Sequence, residues 1–199
     1  MTRLLLGAFP PELGPLLATP PKGWTVACTG VGQLSAAFTT ARLIEERRPE
    51  GVLFIGTCGH FDERLKAGDF ILAAGARASS LEERRGESYR PEVERTYWKA
   101  TLPALAFPSH EVVVPPAITR TREGAALLAP LGAAEHLELT GVYAACHAAG
   151  VPVGAVLVVV NEVGPQAQPQ WLANHEVQSL RLSEALQSLR AFDLVPIAP

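Results

Sequence analysis

Two carboxylates in this sequence occupy positions from which they can act on a small molecule. Glu12 follows the short apolar run at residues 4–6, and a carboxylate beyond a strand end can serve as the general base for a water molecule. Glu138 precedes a predicted helix, where its two oxygens can accept hydrogen bonds from the vicinal hydroxyls of a ribose. Acidic residues also stabilise the start of a helix, and for Glu12 the residue type and position alone favour that structural role.

Two further side chains have types suited to binding a nucleobase. Asn161 directly follows the apolar run at residues 153–160, and its amide can donate and accept hydrogen bonds at the edge of a base. The alternative is an ordinary turn asparagine. Trp171 lies ten residues further along and can stack on the face of a base, although packing in the core is the common role of tryptophan.

The hydrophobic pattern predicts a framework that brings these residues together. The predicted strands are residues 4–6, 24–28, 51–55, 70–74, 111–114 and 153–160, and the predicted helices are 33–47, 123–128, 140–149 and 172–192. Apolar strands that alternate with helices indicate a mainly parallel sheet with both faces covered. Ligands bind beyond the carboxyl ends of such strands. The expected site therefore lies in the segments 7–12, 29–32, 56–60, 118–121 and 161–171.

Small residues follow two of the predicted strands. Thr-Gly-Val-Gly at residues 29–32 joins a strand to a helix, and its amides can meet an anion or a hydroxyl at the helix N-terminus. A tight packing turn explains this segment equally well, because the third glycine of a dinucleotide-binding fingerprint is missing. Gly-Thr-Cys-Gly-His at residues 56–60 ends the next strand and predicts a small-residue floor under a sugar or base.

The bulk composition predicts one domain over residues 1–199. The chain has 48% hydrophobic residues, which suffices for one sizeable core. Its formal net charge of −3 argues against a nucleic-acid partner. The longest apolar stretch, residues 150–160, is too short to span a bilayer, so we expect a cytoplasmic protein without a membrane partner. Residues 79–108 mix charges, aromatic residues and prolines, and we expect an irregular excursion there.

The three cysteines of the chain, Cys28, Cys58 and Cys146, favour reduced thiols. Their number is odd and no pair has the C-x-x-C spacing of a zinc or redox site. Each lies among apolar or small residues, as buried thiols of cytosolic proteins do. We therefore expect neither a metal nor a cofactor.

The chain resembles the nucleoside phosphorylase and nucleosidase superfamily over most of its length. The resemblance rests on residues 30–37, on Gly-Thr-Cys-Gly at 56–59 and on Leu-Lys-Ala-Gly-Asp-Phe-Ile-Leu at 65–72. A strand, a G-[TS]-x-G sequence and then K-x-G-D form a combination that packing alone does not require. The resemblance implies a three-layer α/β/α fold around a central mixed, mainly parallel sheet, as in nucleoside phosphorylases.

Within this superfamily the chain is most similar to the hydrolytic branch, which holds futalosine hydrolase and methylthioadenosine/S-adenosylhomocysteine nucleosidase. Members of that branch begin with a strand, Gly-Ala and a glutamate that activates water, and Gly7, Ala8 and Glu12 match this pattern. Phosphorylases usually place an arginine in this loop to hold phosphate. No arginine lies between Leu4 and Lys22, so the resemblance implies water as the nucleophile.

The resemblance also implies roles for individual residues. Leu137 and Glu138 occupy the position of a Met-Glu pair that binds ribose. Asn161 stands where adenosine-type nucleosidases have aspartate and where binders of 6-oxopurines tend to have asparagine, so it is the implied base reader and stabiliser of the leaving group. The implied base-binding residues are Asn161, Trp171, Ile118, Cys58 and Gly59.

The implied activity is hydrolysis of the N-glycosidic bond of a 6-oxopurine nucleoside. In this hypothesis Glu12 activates water, Asn161 assists the leaving base, and a homodimer or higher homo-oligomer converts futalosine to hypoxanthine and dehypoxanthine futalosine in menaquinone biosynthesis. Alternatives are an adenosine-type nucleosidase, a purine nucleoside phosphorylase or a non-catalytic nucleoside-binding relative. His136 and Val160 favour the last, because the superfamily usually has an acidic residue and a serine there.

Overall fold

One mixed sheet carries the fold in the computed structural model, which describes residues 2–102, 105–189 and 191–194. Within those ranges its eight strands are β1 (Arg3–Gly7), β2 (Trp24–Cys28), β3 (Val52–His60), β4 (Phe70–Ala78), β5 (Tyr97–Lys99), β6 (Ser109–Val114), β7 (Ala134–Glu135) and β8 (Val153–Glu162). β3 is parallel to β1 and β8 and antiparallel to β7. β8 also pairs with β4, and β6 pairs with both β4 and β7. The strands β3, β7, β6, β4 and β8 therefore close into a ring.

Helices cover both faces of this sheet. They are α1 (Pro10–Leu13), α2 (Pro15–Ala18), α3 (Gln33–Arg47), α4 (Leu81–Arg85), α5 (Arg122–Leu128), α6 (Leu139–Ala149), α7 (Ala167–Ser188) and α8 (Ala191–Leu194). Successive strand residues point to opposite faces. Leu4 and Leu6 therefore pack with Tyr143 of α6, whereas Leu5 packs with Leu182 of α7. Both faces are apolar because both are covered, and the predicted α/β fold class is confirmed.

Strand β3 continues through the segment that was expected to end it. The prediction placed Gly56–Gly59 in a loop, but β8 pairs with β3 as far as His60, with a register shift between Cys58 and Gly59. The glycines are there because other side chains approach the strand closely. A Cβ on Gly56 would lie 3.1 Å from the carboxylate oxygens of Glu12, and one on Gly59 would lie 2.7 Å from the amide nitrogen of Asn161.

The segment 79–108 is more regular than its mixed composition predicts. Ser80 and Glu83 form a capping box that starts α4, and this pattern of a serine followed three residues later by glutamate is visible in the sequence. Strand β5 pairs antiparallel with β4. Its partner is distant in the sequence, so local patterns did not indicate it. The prediction of little regular structure is wrong for these parts, while residues 103–104 lie outside the described residues.

Helix α7 begins and ends earlier than the predicted helix 172–192. It starts at Ala167 because Pro169 falls in the first turn, where proline is tolerated. It ends at Ser188, and part of the predicted remainder lies in α8. Neither α7 nor another helix of the described residues is both long and apolar enough to cross a bilayer.

Candidate active site

A cavity of about 300 Å³ opens at the carboxyl ends of β1, β3 and β8. All the residues proposed from the sequence lie in its wall, namely Glu12, Cys58, Gly59, Ile118, Leu137, Glu138, Asn161 and Trp171. The wall also contains residues that were assigned no role, among them Phe9, Val31, Thr57 and Glu135. The topology therefore brings together groups that are as many as 159 positions apart in the chain (Glu12 to Trp171).

Glu12 is held rigidly at one side of this cavity. It is 3% exposed and lies in α1, whose first residue is a proline that favours the start of a helix. Its Oε2 accepts a hydrogen bond from the backbone N–H of Ala8 at 2.9 Å. Its Oε1 accepts two more, from the backbone N–H and the hydroxyl of Thr57, each at 2.8 Å. Three donors thus fix both oxygens.

The environment of Glu12 tunes its affinity for a proton. Burial raises the pKa of its carboxyl to about 7, and the negative charge of Glu138 contributes in the same direction. The hydrogen bonds from Thr57 and Ala8 favour the ionised form and oppose this rise in pKa. A carboxylate with a pKa close to neutrality can both remove a proton from water and release it afterwards.

Trp171 supports Glu12 through Thr57. The indole N–H of Trp171 donates to the Thr57 hydroxyl oxygen at 3.2 Å, and that hydroxyl in turn donates to Glu12. The indole ring stacks on His175 with the ring centroids 3.9 Å apart and lies 5.7 Å from the ring of Phe9. Trp171 is therefore a wall of the cavity and also the outer member of a hydrogen-bonded chain that ends at Glu12.

Glu138 stands at the N-cap of α6 and lines the same cavity as Glu12. It is 5% exposed, and its Oε1 accepts a hydrogen bond from the backbone N–H of Gly32 at 2.7 Å. Close packing of α6 on α3 makes this contact possible, because Gly141 of α6 has no side chain to meet the carbonyl oxygen of Gln33. The Thr140 hydroxyl adds a hydrogen bond to the side chain of Gln33 at 3.0 Å.

His136 contacts the other oxygen of Glu138. Its Nδ1 lies 3.2 Å from Glu138 Oε2 and 3.1 Å from the backbone nitrogen of the same residue. Burial lowers the pKa of His136, and the charge of Glu138 only partly offsets this. The imidazole is therefore neutral near pH 7 and leaves the negative charge of Glu138 available to a ligand.

Asn161 occupies the end of β8 beside Gly59 of β3. It is 9% exposed, and its Nδ2 donates to the carbonyl oxygen of Glu162 at 3.0 Å. Because Gly59 has no side chain, the amide of Asn161 lies over the backbone of β3. An amide in that position can form hydrogen bonds with the edge of a planar base that rests on the strand.

The mouth of the cavity is apolar. Val31 and Ile118 line the cavity and are nevertheless 61% and 47% exposed. Leu34 and Phe38 follow on α3 and are 87% and 81% exposed. Leu34 and Phe38 are about one turn apart on α3, so they share a face of that helix. We call Val31, Leu34, Phe38 and Ile118 together the mouth patch.

Neither metal ligation nor a thiolate contributes to this site among the described residues. No group of three or more histidine, cysteine, aspartate or glutamate side chains comes together there as a metal site. The three cysteines are unbridged, and burial raises the pKa of Cys58, which lines the cavity. Cys58 therefore presents a neutral thiol at neutral pH.

Comparison with known proteins identifies the family. Residues 21–192 match the phosphorylase superfamily, and the chain belongs to that superfamily. It is 29% identical over 188 residues to the futalosine hydrolase of Streptomyces coelicolor, an alignment that covers 85% of this chain and 76% of that protein. The expected resemblance to this superfamily and to futalosine hydrolase is confirmed.

Solved structures share the fold. The futalosine hydrolase of Helicobacter pylori matches with a TM-score of 0.81 and 17% identity, over 96% of this chain and 97% of that chain. A methylthioadenosine/S-adenosylhomocysteine nucleosidase from the same organism matches with a TM-score of 0.82 and 17% identity, over 96% and 98%. The corresponding nucleosidase from Colwellia psychrerythraea, solved with adenine, matches with a TM-score of 0.79 and 17% identity, over 95% and 94%.

Proposed function

We propose that this protein hydrolyses the N-glycosidic bond of a 6-oxopurine nucleoside, and specifically that it converts futalosine to hypoxanthine and dehypoxanthine futalosine in menaquinone biosynthesis in the cytoplasm. The broader prediction of a hydrolytic enzyme acting on N-glycosidic bonds is confirmed by its relatives. The observation that carries the proposal of hydrolysis is Glu12, a buried carboxylate with a pKa of about 7. Asn161 in the same cavity supports a 6-oxopurine as the base.

In the proposed reaction Glu12 orients and deprotonates the attacking water. The bond between the ribose and the base breaks first and leaves positive charge on the sugar. Glu138 accepts hydrogen bonds from the 2′ and 3′ hydroxyls and stabilises that charge, because fixed electrostatic groups are often the largest contribution to catalysis. Asn161 holds the base and stabilises it as it leaves. An amide cannot supply a proton, so the proton for the base comes from water.

The charge of the cavity favours water over phosphate as the nucleophile. No arginine or lysine is among the described residues that line the cavity, whereas Glu12, Glu135 and Glu138 are. Three carboxyl groups without a basic partner make a poor site for a phosphate dianion. A neutral water molecule meets no such repulsion.

The decisive experiment follows the release of free base by the purified protein. Futalosine, inosine and methylthioadenosine are each incubated with the protein in the presence and absence of phosphate. We expect hypoxanthine to be released from futalosine without phosphate. Release that needs phosphate would assign the protein to the phosphorylases, release of adenine alone would assign it to the adenosine-type nucleosidases, and binding without release would indicate a non-catalytic relative.

We also propose that a second copy of this chain covers the mouth patch. The four side chains of this patch are apolar and exposed, and two of them, Val31 and Ile118, belong to the cavity wall. Contiguous apolar surface of this kind is typical of protein interfaces. A homodimer formed through this patch would shield the site from bulk solvent during the reaction and leave the attacking water inside.

A further inference from the structure

A single hydroxyl separates the indole of Trp171 from the proposed base Glu12. Trp171 lies near the start of α7, and its Nε1 is 3.2 Å from the hydroxyl oxygen of Thr57. That oxygen is in turn 2.8 Å from Glu12 Oε1. The three side chains come from α1, β3 and α7, and the proposed reaction assigns no task to the indole N–H.

The donor and acceptor types along this chain of side chains fix the direction of each hydrogen bond. An indole N–H can only donate, whereas a hydroxyl has one proton to donate and lone pairs to accept with. The Thr57 hydroxyl therefore accepts from Trp171 and directs its only proton to Glu12 Oε1. Hydrogen bonds linked in this way polarise and strengthen one another. Without the indole N–H, the hydroxyl is free to rotate its proton away from the carboxylate.

Packing holds the indole in the orientation that these hydrogen bonds require. One face of the ring stacks on His175, with the two planes inclined by 10°. The Nδ1 of His175 lies 2.9 Å from the carbonyl oxygen of Trp171, which ties the imidazole to the same helix. Phe9 packs beside both rings, with centroid distances of 5.7 Å to the indole and 6.1 Å to the imidazole. Because His175 occupies one face of the indole, at most the other face can contact a ligand.

We infer that Trp171 is a positioning residue for Glu12 and acts through the Thr57 hydroxyl. The inference rests on the proposed function, in which Glu12 activates water, and it gives Trp171 a task other than stacking on a base. Phenylalanine at this position keeps an aromatic wall but lacks the donor. Trp171→Phe should therefore leave substrate binding nearly unchanged and weaken the stabilisation of the ionised carboxylate.

The other titratable groups near Glu12 and the indole do not produce this effect. They are Glu138 at the N-cap of α6, Cys28 of β2, Cys58 of β3 and His175 of α7. The charge of Glu138 raises the pKa of Glu12. Burial raises the pKa of both thiols, so they are neutral at pH 7. The groups that lower the pKa of Glu12 are its hydrogen-bond donors Thr57 and Ala8, and only the Thr57 hydroxyl is in contact with Trp171.

The test measures the ionisation of Glu12 with and without turnover. The pH dependence of kcat/KM for futalosine gives the midpoint in the working enzyme. Carbon NMR of protein labelled at glutamate Cδ follows the carboxyl without substrate, and Glu12→Gln identifies its signal. In Trp171→Phe both midpoints should rise by about 0.3–0.5 pH units, less than the shift of about one unit expected for Thr57→Val. Well below the midpoint kcat/KM should fall about two- to threefold, with KM within about twofold of the wild-type value.

A double-mutant cycle tests whether the indole acts through Thr57. In Thr57→Val the indole has no hydroxyl to orient, so adding Trp171→Phe should leave the midpoint at the value for Thr57→Val alone. Independent effects of the two substitutions would add instead. Trp98→Phe is the matched control, because Trp98 is also partly buried but lies on β5 and does not line the cavity. Its midpoint should equal that of the wild type, and melting temperatures report whether each variant folds.

The outcomes separate this inference from the proposed function. Hypoxanthine release from futalosine combined with unchanged midpoints in Trp171→Phe, or with additive shifts in the cycle, overturns the inference alone. A raised KM with an unchanged midpoint also overturns it and leaves Trp171 as a wall for the ligand. A shift of the Glu12 NMR midpoint that depends on Thr57, in a protein that releases no base, supports the inference and overturns the proposed function.

Discussion

At the scale of single residues, the environment of Glu12 sets the pH at which the proposed chemistry operates. The carboxyl must be ionised to accept a proton from water, and burial raises its pKa to about 7. We expect kcat/KM for futalosine to rise about tenfold per pH unit below this pKa and to level off above it.

Glu12→Gln should lower kcat/KM by about 10²- to 10⁴-fold. Glu45→Gln, on the exposed side of α3, is the control and should keep the wild-type profile.

The hydroxyl of Thr57 should shift that profile in a defined direction. It donates to Glu12 Oε1 and favours the ionised carboxylate. Thr57→Val removes this donor with little change in shape, so the pKa of Glu12 should rise further and the midpoint of the pH–rate profile should move up by about one pH unit. Thr40→Val is a matched control, because Thr40 is buried and its hydroxyl has no partner among the described residues. A midpoint that moves down or stays in place would contradict this account of Glu12.

At the scale of secondary structure, the contact between α3 and α6 holds Glu138 in place. A Cβ on Gly141 would overlap the carbonyl oxygen of Gln33 and lie 3.0 Å from the backbone nitrogen of Ala37. Gly141→Ala should therefore push the two helices apart, lower the free energy of unfolding by about 1–3 kcal/mol and raise KM through the lost contact of Glu138 with Gly32.

Chemical denaturation and steady-state kinetics together check this prediction. Ala148→Ser, at an exposed position of the same helix, should change neither the free energy of unfolding nor KM appreciably. An unfolding free energy for Gly141→Ala equal to that of the wild type would show that α3 and α6 tolerate the added methyl group. The placement of Glu138 would then need a different explanation.

At the scale of the whole molecule, the mouth patch decides the proposed oligomeric state. A lysine at Phe38 would bury a charge in the interface, and an unpaired buried charge is strongly unfavourable. Phe38→Lys should therefore shift the protein from dimer to monomer in sedimentation velocity and raise KM for futalosine. Val177→Lys is the control, because Val177 is also 62% exposed but lies on α7, outside the mouth patch. A wild-type protein that is monomeric at micromolar concentration would overturn the dimer proposal.

Local patterns were sufficient to predict most elements and where the cavity would lie. Apolar runs indicated strands, and Gly150, which adopts φ +68° at the end of α6, marked a helix end. The alternation of predicted strands with predicted helices placed Glu12 and Asn161 at the carboxyl edge of a sheet. The capping box at Ser80 carried a local signal as well, but the mixed composition of residues 79–108 obscured it.

The sequence by itself therefore determined the longer strands and helices, the fold class and the small-residue segments of the site, because these follow from periodicity and from neighbours along the chain. Only the tertiary structure decided the continuation of β3 through Gly59, the raised pKa of Glu12 and the support of Glu12 by Thr57 and Trp171. Strand register, burial and hydrogen bonds between distant residues depend on which segments pack together. Local sequence patterns do not indicate which distant segments do so.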